Sequence, residues 1–498
     1  MNRSQPITRR GLVQAGLAAG AGLVVHGAPA SRASAHPWAD LAAALDGQLV
    51  LPTDPSYLAR ATPSALRFAK DSPQAIVVPA TGPDVAVAID FAREQGLPLR
   101  IRGGGHGYAG YCTTNGICLD MSGLRSVSFD QSTGTVACGG GVRGVDVRKG
   151  LLAQGHWIPA GNCSGVGLAG FVQGGGFGFY QRLHGLGCDS LVEAEIVTAD
   201  GRIDQVSDAS DPELLWALKG GGGGNFGVVT RFRLRTFEVD GPSSVAMTIW
   251  RGIPTAPLVD RIADMVAQTG DELTWHFTCD ATSPDDLGGF SLPQVTLMCH
   301  AFATSERIQA ALDPVINSYP PAICVVRTLP FAQSHDFLSG NHLPENGLWY
   351  VKSLFLPGPL QRAAIEVLTQ AAGRWPGSSI GRSGTGFIPW SGRLTQVAPE
   401  ATAFVHRQPG YLAVIQTCWG NEDPDEIIEA GRQWAEQTYR ELLPHSSGGS
   451  YQNWIDPDLP DPLRAYYGVN LPRLIRVKTR VDPSGFFQLP QGIPVGVP

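Results

Sequence analysis

Glycine is concentrated in one part of this chain. The 498 residues include 62 glycines, which crowd between Gly103 and Gly227 in three runs, 102–110, 161–178 and 220–227. Backbone that approaches a ligand closely, or adopts a positive φ angle, uses glycine because a Cβ atom would clash. Successive backbone N–H groups in such turns also form a nest that binds an anion such as a pyrophosphate. The pattern predicts a fold built around a ligand of that kind.

The second run contains two short patterns that point to different chemistries. Gly165–Gly170 has the G-x-G-x-x-G spacing of a dinucleotide fingerprint, with Asp189 as the ribose partner. Gly161–Gly165 has the spacing of a nucleophile elbow, with Cys163 as the nucleophile of a hydrolase. Both patterns need a buried strand before them, and Pro159 interrupts that position. The hydrolase therefore stays a second hypothesis.

A flavin fits the glycine runs better. His106 lies in the first run and Cys163 in the second. An imidazole can attack the 8α-methyl carbon of an isoalloxazine ring, and a thiolate can attack its neighbour C6. We therefore predict FAD bonded covalently to both side chains, and we expect its pyrophosphate to lie against the glycine nests.

The chain changes character near Asp240-Gly-Pro242. Before it, short strands alternate with helices, including a helix that ends at Gly96 and a hairpin over 195–203. Beyond it, alternating strands are predicted over 244–250, 273–278, 294–302 and 412–419, together with amphipathic helices over 255–268, 305–315, 359–372 and 424–443. This pattern predicts an α+β chain whose second domain has a largely antiparallel sheet backed by helices.

The first 35 residues have the features of an export signal. Arg9-Arg10 precedes an apolar run over 15–25, and Ala33-Ser-Ala35 offers a cleavage site. The twin arginine is typical of Tat-type signals. The apolar run is shorter than the roughly 20 residues that a membrane span needs. We therefore expect a secreted, extracytoplasmic protein of bacterial type, with no membrane segment in its mature form.

Charge and cysteine spacing exclude other classes. The net charge of −7 and the scattered basic residues argue against a nucleic-acid partner. None of the nine cysteines forms a C-x-x-C pair, and the histidines lack metal-ligand spacing, so no metal site is predicted. Cys112 and Cys118 are one candidate for a short-range disulfide.

Longer motifs run through the same segments. The first run matches R-x-G-G-H-x-Y-x-G, and the second matches A-G-x-C-x-x-V-G-x-x-G-x-x-x-G-G-G-x-G. Trp216–Val229 and the tail, Tyr466–Leu474 with Lys478 and Val481–Pro483, complete the set. By these motifs the chain resembles the berberine bridge enzyme-like flavoproteins of the vanillyl alcohol oxidase superfamily, over nearly all residues after the signal.

The resemblance implies a PCMH-type FAD-binding domain of two subdomains over 36–240, mainly 69–240. It further implies a substrate domain over 241–450 and a C-terminal segment, 451–498, that returns to the FAD domain. The resemblance also implies that Val166, three residues after Cys163, is the position that controls access of O₂ to the flavin, and a valine there favours an oxidase. The expected cofactor-binding residues are Arg102, Gly103, Gly104, Gly105, His106, Gly107, Tyr108, Gly161, Cys163, Val166, Gly167, Gly170, Gly174, Gly175, Gly176, Gly178, Val228, Val229, Tyr467 and Asn470.

The expected reaction transfers a hydride from an alcohol, of a sugar or a secondary metabolite, to FAD and then to O₂, giving H₂O₂. Oxidative bond formation in natural-product assembly, and sequestration of a metabolite without turnover, are the alternatives. Trp454, Trp390 and Trp419 are candidates for stacking on the substrate.

One position departs from the family pattern. Relatives often carry Y-x-N-Y before the tail, with the second tyrosine as the catalytic base, but here the segment is Tyr451-Gln-Asn-Trp454. Indole cannot accept a proton. Gln416 resembles a residue that faces the flavin and orients the substrate hydroxyl. The candidates for the base are Tyr451, Tyr350, His406 and Tyr108.

Overall fold

The computed structural model describes residues 37–253, 255–282, 294–339, 346–380 and 382–496. The predicted export signal, residues 1–35, lies outside these ranges. By its internal contacts the chain divides into residues 1–40 and residues 41–498. In the first unit, residues 37–40 begin helix α1 (Pro37–Ala44). All the sheets lie in the second unit.

The first sheet contains parallel strands joined by a capped helix. Its strands are β1 (Gln48–Val50), β2 (Ala75–Val78), β3 (Leu99–Arg102) and β4 (Ile117–Asp120), in the order β1-β2-β4-β3, and β4 runs parallel to both neighbours. Helix α2 (Tyr57–Ala61) precedes β2, and α3 (Gly82–Gln95) connects β2 to β3. Thr81 and Asp84 form a capping box at the start of α3, and Gly96 ends it with φ of 63°. This confirms the predicted helix.

The second sheet is antiparallel and has the order β5-β6-β10-β8-β9. Its predicted hairpin is confirmed, because β8 pairs with β9 and Gly201 turns the chain with φ of 80°. A two-stranded ribbon pairs β7 with β11. The strands are β5 (Val127–Asp130), β6 (Thr135–Gly139), β7 (His156–Trp157), β8 (Leu191–Val197), β9 (Ile203–Ser207), β10 (Val228–Arg235) and β11 (Phe237–Glu238). The helices between them are α4 (Gly144–Leu151), α5 (Leu168–Gln173), α6 (Gln181–His184) and α7 (Pro212–Leu218).

The third sheet has seven strands in the order β15-β12-β14-β13-β17-β18-β16, and every neighbouring pair is antiparallel. The predicted antiparallel sheet is therefore confirmed, and it has three more strands than the sequence indicated. The strands are β12 (Ser243–Arg251), β13 (Leu273–Thr282), β14 (Gln294–Ala301), β15 (Ile323–Leu329), β16 (Leu348–Pro357), β17 (Arg382–Trp390) and β18 (Gly410–Trp419). The helices are α8 (Thr255–Ala267), α9 (Ser305–Ile316), α10 (Phe331–Ser339), α11 (Arg362–Gly373) and α12 (Asp425–Leu442).

The two faces of this sheet have different partners. Trp275, Phe277 and Cys279 of β13 are buried in the main core, on the face that packs against helices such as α11. Side chains alternate across a strand. The residues between them, such as His276 and Asp280, therefore lie on the opposite face, which is open to a large cavity.

The C-terminal segment returns to the glycine-rich part of the chain. It contains α13 (Pro462–Tyr467) and α14 (Leu471–Val481). The Tyr467 hydroxyl donates to the carbonyl of Gly221 at 3.1 Å, and the Gln452 amide donates to the carbonyl of Gly220. Residues far apart in sequence thus share one side of the fold.

Candidate active site

The first glycine run forms the loop that follows β3. Gly105 and Gly110 have φ angles of 73° and 72°, which favour glycine. Arg102 does not line the cavity, in contrast to its predicted role as a cofactor ligand. Its buried guanidinium donates to the carbonyls of Cys112 at 3.2 Å and Ala61 at 3.1 Å. Arg102 therefore holds the loop in place from behind.

The first and second loops meet backbone to backbone. A Cβ atom on Gly104 would lie 2.2 Å from the backbone nitrogen of Gly167, and the reverse distance is also 2.2 Å. No side chain can occupy either position without moving one of the loops. The two glycines thus bring together the loops that carry His106 and Cys163.

Replacing Gly104 by alanine tests this close contact. We expect a loss of about 1–3 kcal/mol of unfolding free energy, because the new methyl group meets rigid backbone. Gly107→Ala is the matched control in the same loop, since a Cβ there has nothing within 4 Å. We expect the control to change stability by less than about 0.5 kcal/mol. Urea unfolding measures both values, and equal losses would contradict the proposed contact.

A cavity of about 920 Å³ lies between the loops, the third sheet and the tail. Ligand sites commonly measure about 300–1,000 Å³. The cavity brings together most of the predicted site residues: Gly103, Gly104, Gly105, His106, Gly107, Tyr108, Gly161, Cys163, Val166, Gly167, Gly170, Gly178, Val229, Gln416, Tyr451, Trp454 and Tyr467.

The lining of this cavity fits FAD. Backbone of all three glycine loops forms one wall, as a bound pyrophosphate requires. His106 and Cys163, the two predicted attachment residues, line the same space. Since the His106 ring also stacks on Trp349 with 5.3 Å between ring centroids, its orientation is restrained.

Three predicted glycines have a different role. Gly174, Gly175 and Gly176 do not line the cavity. A Cβ on Gly174 would lie 1.9 Å from Oδ1 of Asn453, and one on Gly175 would lie 2.8 Å from the Phe404 ring. Gly174 therefore leaves room for the tail residue Asn453, Gly175 for Phe404 and Gly176 for Phe171. Val228 is likewise buried in β10, where it pairs with Val197.

Tyr451 connects the tail to the second loop. Its buried hydroxyl accepts hydrogen bonds from the backbone N–H of Gly176 at 2.9 Å and from the Asn453 amide at 3.1 Å. Asn453 also donates to the carbonyl of Phe171 at 3.0 Å. Burial raises the pKa of Tyr451 above its ordinary value. The hydroxyl thus lines the cavity, but its two lone pairs are already engaged.

The structure places Tyr350 and His406 outside the cavity lining. The Tyr350 hydroxyl donates to Asp458 at 2.8 Å, and burial together with Asp456 and Asp458 raises its pKa. The His406 ring stacks on Phe355 at 4.2 Å, and burial lowers its pKa to about 4. As general bases, both candidates are corrected, because their partners lie away from the cavity.

Other predicted residues are also corrected. The Asn470 amide donates to the carbonyls of Pro399 at 2.8 Å and Thr402 at 3.1 Å, so it secures the tail and does not bind a cofactor. Of the three tryptophans proposed for stacking, Trp390 and Trp419 are buried and do not line the cavity. Of these three tryptophans, Trp454 alone lines the cavity.

On the sheet wall, the predicted Gln416 is joined by three polar residues that were not predicted, Arg251, Gln294 and Asp280. Arg251, Gln294, Asp280, Gly384 and Gln416 are directly opposite one another across five strands. Hydrogen bonds connect part of this wall through Thr296: Arg251 donates to Gln294 at 2.9 Å, Gln294 to Thr296 at 3.1 Å, and Thr296 to Asp280 at 2.7 Å. The chain of donors ends on a carboxylate at the cavity surface.

The two short patterns in the second run do not form their expected sites. The Asp189 carboxylate is held by Arg407, with a nitrogen–oxygen distance of 2.6 Å, and it does not line the large cavity. The expected strand before Cys163 is also absent, because β7 ends at Trp157. The disulfide candidate is corrected as well: Cys112 and Cys118 are not bonded, and the Cys118 thiol points to the carbonyl of Cys112 at 3.6 Å.

The described part of the chain contains neither a candidate membrane-spanning helix nor a candidate metal-binding cluster. Over those residues, no helix has both the length and the apolar character required to span a membrane. Within the same ranges, no group of three or more His, Cys, Asp or Glu side chains is placed to hold a metal ion.

Two known protein families match the segments of the chain that form the site. An FAD binding domain family matches residues 73–207, and the berberine and berberine-like family matches residues 450–494. The chain is 30% identical over 462 residues to the uncharacterized FAD-linked oxidoreductase YgaK of Bacillus subtilis, covering 90% of this chain and 97% of that protein.

Solved structures share the whole architecture. Berberine bridge enzyme-like 1 of Physcomitrella patens has a TM-score of 0.82 at 26% identity, covering 92% of this chain and 99% of its own. Xylooligosaccharide oxidase from Myceliophthora thermophila, solved with xylobiose, shares the fold with a TM-score of 0.80 at 22% identity and covers the same shares of both chains.

The fold prediction is confirmed by these neighbours as an α+β, PCMH-type FAD-binding fold. The matched families also show that the chain is an FAD-dependent oxidoreductase. With its glycine loops, its cavity and its returning tail, this chain belongs to the berberine bridge enzyme-like family of FAD-linked oxidoreductases.

Proposed function

We propose that this protein is an oxidase that removes a hydride from the carbon of a small hydroxyl-bearing substrate and passes the electrons to O₂, which becomes H₂O₂. The observation that carries the proposal is the position of His106 and Cys163 on one cavity, beside three glycine loops. When bound there, FAD supplies the hydride acceptor and the reaction with O₂. The side chains of the protein hold the cofactor and bind the substrate.

His106 and Cys163 are the proposed attachment residues. The neutral imidazole would bond to the 8α carbon and the thiolate to C6, because both are nucleophiles and these carbons are adjacent. Two covalent bonds would keep the cofactor in place outside the cell. Val166 lines the same cavity, and its position three residues after Cys163, which in the family pattern controls access of O₂, supports O₂ as the electron acceptor.

The substrate would lie between the loops and the sheet wall. Gln416 is placed to hydrogen-bond a substrate hydroxyl, since its side chain is on the cavity face of β18. Asp280 and Thr296 add further acceptor and donor groups. The xylooligosaccharide oxidase neighbour supports a sugar alcohol as one substrate class, and the aromatic side chains around Trp454 support an aromatic secondary metabolite as the other.

We propose that the protein acts outside the cytoplasm after Tat export. The twin arginine at Arg9-Arg10 and the Ala33-Ser-Ala35 site support this location. Expressing the full chain in a bacterium with and without a functional Tat system checks it. We expect a processed protein outside the cytoplasm only when the system works, and equal export in both strains would refute the route.

Release of H₂O₂ from a panel of sugars, benzylic alcohols and phenols tests the oxidase. We expect at least one substrate to bleach the flavin under anaerobic conditions and to yield H₂O₂ in air, with the signal abolished by catalase. Bleaching without H₂O₂ would indicate a different electron acceptor. Ligands that perturb the flavin spectrum but never bleach it would overturn the proposal in favour of sequestration.

A further inference from the structure

An aromatic cluster surrounds Trp454, which stands where the family pattern has a tyrosine base. The Phe177 ring lies 5.1 Å from Trp454, 5.2 Å from Tyr451 and 5.9 Å from Trp390. The side chains of phenylalanine and tryptophan cannot accept a proton from a hydroxyl group. The proton acceptor for a substrate bound against Phe177 must therefore come from elsewhere on the cavity wall.

Three tyrosines on this wall have other hydrogen-bond partners, and the base candidate Tyr108 packs edge-on against His106 and Trp349. Tyr451 accepts two hydrogen bonds that fasten the second glycine loop. Tyr467 donates to the carbonyl of Gly221, and the Tyr466 hydroxyl accepts from the backbone of Asp456 at 3.0 Å. Burial raises the pKa of each of these three phenols above its ordinary value. All three work as structural connections between the tail and the rest of the fold.

His276 lies on the sheet side of the same cluster. It is half-buried on the cavity face of β13, and its ring stacks on Phe179 with 4.0 Å between centroids and 26° between planes. The Phe177 ring is 6.1 Å away, so His276 and Trp454 flank the same phenyl group. The side-chain amide of Gln181 lies 3.5 Å from its Nε2 atom. The imidazole is thus oriented from two sides and borders the space next to Phe177.

We propose that His276 accepts the hydroxyl proton of the substrate, and that the substrate is a phenol or a benzylic alcohol whose ring packs against Phe177 and Trp454. The proposal rests on the proposed function, which requires a hydroxyl-bearing substrate. The O–H bond breaks, its electron pair stays on the oxygen, and a new N–H bond forms on the imidazole. An alkoxide or phenolate and an imidazolium result, so the total charge is unchanged.

The aromatic part of the ligand follows from the lining. Beside His276 the sheet contributes Met298 and Ile388, and the loops contribute Phe177 and Phe179. Aromatic rings pack well in such a site through edge-to-face contacts. On β13, the polar residue Asp280 lies four residues beyond His276, about 13 Å away at the usual rise per residue of a strand. Gln294 and Arg251 lie opposite Asp280 on the next two strands. The ring that His276 deprotonates and the polar wall therefore occupy different parts of the cavity, so Gln416 and Asp280 would bind other polar groups of the same substrate.

Ionisation of bound 4-nitrophenol tests His276 without any turnover. The phenol is added to the flavin-loaded protein one pH unit below its solution pKa, and the phenolate band is measured as a difference spectrum. We expect the bound ligand to show a phenolate-to-phenol ratio about tenfold above that of the free ligand, equivalent to one pKa unit. His276→Asn and His276→Gln should abolish this rise, because neither amide accepts a proton.

His184→Asn is the matched control, since His184 does not line this cavity and stacks on Phe237 at 3.6 Å. The control should keep the full rise. No rise in the wild type, or an equal rise in the His276 variants, would overturn the proposal. A rise that depends on His276, in a protein that forms no H₂O₂ with any substrate, would refute the oxidase and leave the proton acceptor standing.

Discussion

With both His106 and Cys163 replaced by alanine, acid precipitation is expected to give a colourless pellet and a yellow supernatant. The wild-type pellet should hold all of the flavin. Each single variant should also keep its colour in the pellet, because one covalent bond remains. Only the double variant loses both bonds, so the covalently held fraction should fall from nearly complete to none. Absorbance of pellet and supernatant at the flavin maximum measures this fraction.

A matched double variant makes the result specific. Cys324 is exposed on the edge strand β15, and neither it nor His445 lines the cavity. Cys324→Ala with His445→Ala should leave all colour in the pellet. Yellow colour in the wild-type supernatant, or a coloured pellet from the His106/Cys163 variant, would contradict attachment at these two residues.

Local sequence predicts an element well when its signals lie within the element. Helix α3, predicted to end at Gly96, is found at Gly82–Gln95, because Thr81, Asp84 and Gly96 mark its ends chemically. The hairpin of β8 and β9 was predicted for the same reason, since Asp200-Gly201 specifies its turn. Neither element depends on distant contacts for its boundaries.

Two of the three strands that were missed, β16 and β17, lack such signals. Strand β16 is buried on both faces over nearly its whole length, so it shows no alternation of polar and apolar residues. Strand β17 contains Gly384, Gly386 and Pro389, residues that are depleted in strands. Both are held in place by neighbours such as β18, whose contacts cannot be deduced from the strands' own sequences.

The residues of the site also differ in whether the local sequence predicts them. His106 and Cys163 could be predicted because each lies inside a dense glycine motif. His276 could not, because its importance depends on which face of β13 is turned to the cavity, and on Phe179 and Gln181, almost a hundred residues earlier. Tyr350 and His406 show the opposite error: their chemistry suits a base, but their partners Asp458 and Phe355 lie outside the cavity.

Lys478 is a buried, charged connection between the tail and the third glycine loop. Its side chain is only 1% exposed, and its ammonium donates to the carbonyls of Asn225 at 2.6 Å and Phe487 at 2.7 Å and to the Asp482 carboxylate at 2.7 Å. Asp482 in turn accepts the backbone N–H of Phe487 at 2.9 Å. Burial lowers the pKa of Lys478 from its ordinary value, and the Asp482 carboxylate opposes that shift.

Lys478→Met should lower the free energy of unfolding by about 3–5 kcal/mol, because it leaves the buried Asp482 carboxylate without its cation. Arg480→Met, two residues further along the same helix, removes only the exposed ion pair with Asp211 and should cost at most about 1 kcal/mol. Urea unfolding followed by circular dichroism gives both values. Adding Asp482→Asn to Lys478→Met should recover part of the loss, since the uncompensated charge is then removed. Equal losses for the two single variants would show that the tail is not held by this buried charge.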